Sequence, residues 1–164
     1  MIKLVFFLTF LISNNEDLKI IREHFTLLNK SEASVLIIKN ITEHSVTLPV
    51  SLKKAYSAIA EMASAQYEIN PINKLASFNS GKILLENAIK LDSLNIELRY
   101  LRMCIQDNAP FFLGYNKNLK ADTNYLISNL KSIKRSDVDL YARIYSYLLI
   151  HFNLNAQEKK MLHE

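Results

Sequence analysis

The scarcity of glycine and proline is the feature of this 164-residue sequence that most restricts its fold. The chain contains two glycines, Gly81 and Gly114, and three prolines. Sheet proteins and nucleotide-binding α/β folds need glycines for turns, bulges and phosphate-binding loops. Neither glycine lies in a phosphate-binding pattern, whereas asparagine and serine, both plentiful here, can cap and connect helices. The sequence therefore predicts an all-α protein.

Apolar residues recur at helical spacing along most of the chain and predict about seven to eight helices. The clearest stripe runs from Leu52 to Tyr67 and ends before Asn70-Pro71. The run Val35-Leu36-Ile37-Ile38 would also suit a strand, but it has no partner strand, which favours a helix. Short connections predict antiparallel helical hairpins in a single domain over residues 14–164. The expected N-caps are Ser31, Asn95 and Asn155, the last with Glu158 in a capping-box arrangement. Ser136 and Asp137 are expected to begin the seventh helix.

The first residues have the form of a secretory signal peptide. Lys3 precedes an apolar run from Leu4 to Ile12, and a polar segment follows from Ser13. The run is shorter than the ~20 apolar residues that cross a bilayer as a helix. We expect residues 1–13 to be a signal peptide and the protein to be secreted or periplasmic, without an integral membrane domain. Alternatively, the run is a helix of the core and the protein is cytoplasmic.

No pattern in the sequence indicates a catalytic, metal or cofactor site. Cys104 lies in an apolar helical run, where a buried and inert thiol is expected. No two of the four histidines stand at metal-ligand spacing. The net charge of +4 is spread along the chain, without the dense basic stripe typical of a protein that binds nucleic acid. We therefore expect a protein that is not an enzyme, uses no cofactor and binds no nucleic acid, although catalytic groups can be distant in sequence. The histidines are His24, His44, His151 and His163.

Residues 107–115 form the one segment whose composition is unusual. Three aromatic residues and a leucine stand in a short break between two predicted helices, with Asn108 before them and Gly114 among them. The candidate binding residues are Asn108, Phe111, Phe112 and Tyr115. Such apolar density in a loop is costly unless it is folded inward or binds a partner. We expect a plug between helices, with at least one phenylalanine buried, Tyr115 more exposed and Gly114 at positive φ. The alternative is a recognition loop.

Gly81, Leu85 and Ala88, followed by Asp92-Ser93 and Asn95, resemble the second helix and exit turn of a tetratricopeptide repeat. Ser93 stands where that family usually has proline, and Leu85 where an aromatic residue is common. Ala58, Met62 and Ala65 form a looser copy of the same pattern. The two copies begin at Ala58 and Gly81, which are closer in the sequence than the ~34 residues of the family's period. The resemblance implies right-handed stacking of helical hairpins over residues 51–106, with Gly81, Leu85 and Ala88 as packing residues. It also implies a scaffold role.

The stretch from Leu84 to Tyr115 is also similar to uncharacterised exported bacterial proteins, which have no known activity to carry over. Taken together, these patterns predict an exported helical-repeat-like scaffold that binds another protein. The alternative is a small helical enzyme or ligand carrier with its site near residues 107–115. A third possibility is a basic protein that binds an anionic membrane surface.

Overall fold

The computed structural model describes residues 16–163, without the side chain of His163, and the predicted signal peptide lies outside this range. Over the described residues the chain is all-α, with eight α-helices, three short 3-10 helices and no strand. The all-α prediction is confirmed, while tetratricopeptide-like right-handed stacking stays a prediction. The α-helices are α1 (residues 16–25), α2 (Glu32–His44), α3 (Val50–Ser64), α4 (Pro71–Leu91), α5 (Ile96–Asn108), α6 (Leu119–Asn129), α7 (Val138–His151) and α8 (Ala156–His163).

The three expected N-caps are present, and Asp137, one of the two residues expected to begin the seventh helix, is a fourth. Each of these side chains accepts a hydrogen bond from the first turn of its helix. Ser31 caps α2 and so confirms a helix where a strand was the alternative. Asn95 accepts from two amides of α5, and Asp137 accepts from the third amide of α7. Asn155 and Glu158 exchange side-chain and backbone hydrogen bonds at 2.7 and 2.9 Å, which is the reciprocal capping box.

The chain divides after Leu91 into two compact units. Unit 1 contains α1 to α4 and unit 2 contains α5 to α8. The prediction of a single domain over residues 14–164 stays a prediction.

Helices α3 and α4 pack closely in unit 1. A six-residue connection joins them, so helices that pack along their lengths must run antiparallel. A Cβ atom at Gly81 would come within 2.5 Å of the carbonyl oxygen of Ala58 and 2.9 Å of the amide of Met62. Glycine at this position therefore permits a close approach of the two backbones. Leu85 and Ala88, one and two turns further along α4, are fully buried.

In unit 2 the contact between α5 and α6 is centred on a charged group. Asp122 of α6 is completely buried, and its two oxygens accept hydrogen bonds from Arg102 of α5 at 2.6 and 2.8 Å. Arg99, one turn earlier, adds a bond of 2.9 Å. This fork-like pairing satisfies the carboxylate with charge-assisted hydrogen bonds, the condition under which a buried charge is tolerated.

Candidate binding sites

A short turn, which we call the aromatic turn (residues 110–114), contains two of the four predicted binding residues, Phe111 and Phe112. Asn108 precedes the turn and Tyr115 follows it. A 3-10 helix covers Phe111–Leu113, and Gly114 closes it at φ 59°, as predicted. Phe111 and Phe112 are 89% and 83% exposed, while Tyr115 is only 7% exposed. The expected plug is therefore wrong for both phenylalanines, and the expected exposure of Tyr115 is wrong as well.

The geometry of the turn explains this reversal. A 3-10 helix has three residues per turn, so successive side chains point in directions about 120° apart. A single turn can therefore direct only one of its three side chains inward, and in this turn it is Leu113 that is partly buried. After the left-handed Gly114 the chain changes direction, and Tyr115 takes the buried position.

Asn108 belongs to a polar cluster between the ends of α5 and α7. Its amide nitrogen donates to the carbonyl of Cys104 and to the hydroxyl of Tyr147, at 2.8 and 2.7 Å. One carboxylate oxygen of Asp107 accepts from Tyr147 at 2.8 Å and lies 2.9 Å from Nδ1 of His151. The rings of Tyr147 and His151 are stacked, with centroids 3.9 Å apart. Sequence reasoning missed Asp107 and Tyr147 and assigned His151 only to the end of its helix.

The polar cluster continues inward to Cys104 and Tyr100. Burial raises the pKa of the Cys104 thiol well above its usual range, although hydrogen bonds with the hydroxyls of Tyr100 and Tyr147 act in the opposite direction. Burial also raises the pKa values of both tyrosines. All three groups are therefore protonated at neutral pH, and the sulfur of Cys104 accepts from the tyrosine hydroxyls. The burial of Cys104 predicted from the sequence is confirmed, and a protonated and buried thiol is a poor nucleophile.

The described residues contain no group of three histidine, cysteine or acidic side chains that could hold a metal ion. The polar cluster brings together two side chains of these types, Asp107 and His151, which is one fewer than such a group needs. The cluster joins α5 to α7 and holds the base of the aromatic turn, because Asn108 lies two residues before Pro110. We therefore regard it as the support of an exposed surface.

A groove of about 440 Å³ in unit 1 is a second candidate that the sequence did not indicate. One wall comes from α2 and includes Val35 and Leu36, and the other comes from the connection between α3 and α4, with Tyr67 and Ile69. Its volume lies within the ~300–1,000 Å³ typical of ligand-binding clefts.

Hydrogen bonds and an ion pair fix the two walls of the groove. The hydroxyl of Tyr67 and the amide of Gln66 both donate to the carbonyl of Leu28, which ties the 3-10 helix Ala65–Tyr67 to the chain after α1. Lys39 of α2 pairs with Glu61 of α3 at 2.9 Å. The groove is thus formed by side chains held in place by the core of unit 1.

Exposed apolar side chains surround the groove and continue along the start of α4. Because Gly81 lies opposite Ala58 and Met62, the first two turns of α4 extend past the end of α3, and every residue from Pro71 to Ala76 is exposed. Ile69 is 96% and Ile72 77% exposed. Contiguous exposed apolar patches of this kind often mark interaction sites. The exposed apolar side chains of this surface, which we call the groove rim, are Leu36, Ile69, Ile72 and Leu75.

Comparison with known proteins adds no relationship to this geometry. No protein-family model matches the chain, and neither a curated protein nor a solved structure shows significant similarity to it. Within the described residues, no helix is both long and apolar enough to cross a membrane. The sequence and structure thus define an all-α protein with two helical units, an open groove in one and an exposed aromatic turn in the other.

Proposed function

We propose that the protein is an exported helical scaffold that binds a segment of another protein in the groove of unit 1. The observation that carries this proposal is the groove rim, where exposed Leu36 and Ile69 line the cleft and exposed Ile72 and Leu75 follow on the first turns of α4. Helical repeat and hairpin proteins commonly bind partner segments on such concave surfaces. The resemblance of residues 51–106 to tetratricopeptide repeats supports the same role.

The residues around the groove specify the chemistry of the partner. Glu32 and Glu68 also line the cleft, while the charge of Lys39 is balanced by its ion pair with Glu61. The unbalanced charge at the cleft is therefore negative. A segment with apolar anchors at helical spacing and flanking lysine or arginine fits both the apolar rim and the carboxylates.

Export is supported by the form of residues 1–13, in which one lysine is followed by an apolar run and a polar boundary. The alternative function, a small enzyme or ligand carrier near residues 107–115, would depend on the Asp107–His151 pair, since a carboxylate that orients an imidazole is a common arrangement for a general base. We favour the scaffold for two reasons. The cluster around this pair supports a turn, and the cleft that could hold a partner segment lies in unit 1, which does not contain residues 107–115.

Site-specific photo-crosslinking in cells that naturally produce the protein tests the proposed function. A benzophenone amino acid at position 72, on the groove rim, should give an adduct of defined mass in the cell envelope fraction. The same probe at position 46 is a matched control, because Val46 is similarly exposed and apolar but lies outside the groove rim. Leu36→Asp should abolish the adduct without unfolding the protein, because Leu36 is exposed.

Equal labelling from positions 46 and 72 would contradict the proposal, since the contact would then be non-specific. An adduct from position 72 that persists in Leu36→Asp would also contradict it, because the partner would then bind α4 without entering the groove. An adduct found only in the cytoplasmic fraction would leave protein binding standing and overturn export.

A further inference from the structure

The aromatic turn of unit 2 exposes two large apolar side chains that are adjacent in the sequence. Phe111 and Phe112 are adjacent, and both rings are directed outward. Leu113 and Gly114 donate backbone hydrogen bonds of 3.0 Å back into the turn, to the carbonyls of Pro110 and Phe111. These two bonds restrict the backbone of the turn, so that less conformational entropy is lost when the turn binds a partner than for an unrestrained loop.

The charge around the turn has one sign. The stretch 108–121 contains no aspartate or glutamate, and its two charged residues, Lys117 and Lys120, are both exposed. The nearest carboxylates along the chain are engaged elsewhere, since Asp107 accepts from Tyr147 and His151 and Asp122 is buried between two arginines. The chain segment that contains the two rings, residues 108–121, therefore carries a charge of +2.

Adjacent apolar rings with lysines beside them match the chemistry of an anionic lipid surface. Aromatic side chains are favoured at the level of the headgroups, where the ring leaves water without crossing the bilayer. Lysines within about a Debye length of an anionic leaflet gain electrostatic attraction. Lys117 lies five residues after Phe112, so their Cα atoms are at most about 18 Å apart, and the flexible lysine stem can reach headgroups beside an inserted ring.

We propose that the aromatic turn docks unit 2 on anionic membrane surfaces, with Phe111 and Phe112 inserted at the interface and Lys117 and Lys120 contacting lipid phosphates or carboxylates. A protein pocket could also receive two rings, but it would bring its own peptide groups and side chains into contact with this basic surface. The single sign of charge over 108–121 favours a broad anionic plane. This docking is separate from the groove of unit 1, and either can fail without the other.

The absence of tryptophan from the sequence gives a direct readout. Phe112→Trp in the full chain introduces a unique fluorophore at the tip of the turn. Mixed vesicles of phosphatidylcholine and phosphatidylserine should shift its emission to the blue, and brominated acyl chains should quench it. Val46→Trp, equally exposed in unit 1, is the matched control and should show neither change.

Vesicle sedimentation of charge variants then separates the two contributions. Phe111→Ala with Phe112→Ala should lower the partition coefficient on anionic vesicles by more than about tenfold. Lys117→Gln with Lys120→Gln should lower it by about 25-fold at low ionic strength, and this difference should vanish in high salt. Lys54→Gln with Lys90→Gln, a pair of exposed lysines in unit 1, is the matched control for the loss of two charges.

An unchanged emission spectrum of Phe112→Trp on anionic vesicles overturns the proposal. Equal shifts for Phe112→Trp and Val46→Trp also overturn it, because membrane contact would then not be specific to the turn. A third contrary result is a Phe112→Trp spectrum that responds to protein from the native envelope but not to lipid vesicles. The aromatic turn would then be a protein-binding element.

Discussion

The two units of the chain bring their helices together with different chemistry. In unit 1, α3 and α4 meet through small residues, and the closest approach is that of Gly81 to the backbone at Ala58 and Met62. In unit 2, α5 and α6 meet around a buried carboxylate, Asp122, which is held by two arginines. One contact depends on the absence of a side chain, and the other depends on the pairing of long charged ones.

This difference predicts which kind of substitution each unit tolerates. A helix contact built from small residues should keep its stability when a polar surface residue is changed. It has no space, however, for an added methyl group. A buried ion network is insensitive to small changes of volume, but it becomes strongly unfavourable when one partner is removed and a charge is left without its counter-ion. Substitutions in the two units should therefore differ in both size and cause.

Removal of the buried carboxylate in unit 2 should have the largest effect. Asp122→Ala removes the buried carboxylate that accepts two hydrogen bonds from the buried Arg102, and we expect a loss of about 3–5 kcal/mol in the free energy of unfolding. Urea denaturation followed by circular dichroism measures this loss. Asp122→Leu combined with Arg102→Met should recover part of it, because the buried charges on both sides of the contact are then removed.

The matched control for Asp122 is Asp139 on α7, an exposed carboxylate that lies 2.9 Å from the partly buried Arg143 with i,i+4 spacing. Asp139→Ala should cost less than about 0.5 kcal/mol, because water replaces an exposed partner. Similar losses from Asp122→Ala and Asp139→Ala would show that the buried network does not hold α5 to α6.

An added methyl group in unit 1 should have an intermediate effect. Gly81→Ala raises the helix propensity of α4 by about 1 kcal/mol. Its Cβ atom would, however, meet the backbone of α3 at 2.5 Å, and a backbone carbonyl cannot move aside as a flexible side chain can. We expect the clash to exceed the gain and to give a net loss of about 1–3 kcal/mol in the same denaturation measurement.

The neighbouring substitution Ser80→Ala separates propensity from packing. Ser80 is exposed on the same helix, so its replacement should change only the helix propensity and stabilise the protein by a few tenths of a kcal/mol. If Gly81→Ala stabilised the protein as Ser80→Ala should, the close approach of α3 and α4 would be refuted.

Local signals explain how much of the fold could be predicted from the sequence. The apolar stripe of α3 and the caps at Asn95 and Asp137 act within one or two helical turns, so their spacing in the sequence reports directly on structure. The partners of Asp122 were not predictable in the same way. Arg99 and Arg102 lie 23 and 20 positions before Asp122, on another helix. A sequence rich in lysine, arginine and acidic residues offers many possible pairs at such distances.

The candidate sites were less predictable, for the same reason. The groove depends on where α4 begins relative to the end of α3, and no periodicity encodes that offset. The Asp107–His151 pair joins residues 44 positions apart. The composition of residues 107–115 correctly indicated an unusual segment, but burial of each ring was decided by the direction of single side chains in a 3-10 turn. Apolar content alone does not determine that direction.

The smallest effect is expected at the aromatic turn, and it tests the contrast between buried and presented side chains within unit 2 itself. Phe111→Ala and Phe112→Ala should each change the free energy of unfolding by less than about 0.5 kcal/mol, because neither ring is packed in the core. Tyr115→Ala, only three residues later, should cost about 3 kcal/mol, since this side chain is buried. Thermal melts of the three variants measure the difference. A large loss of unfolding free energy in either phenylalanine variant would show that this ring packs in the core. The surface proposed for membrane docking would then have one exposed ring and not two.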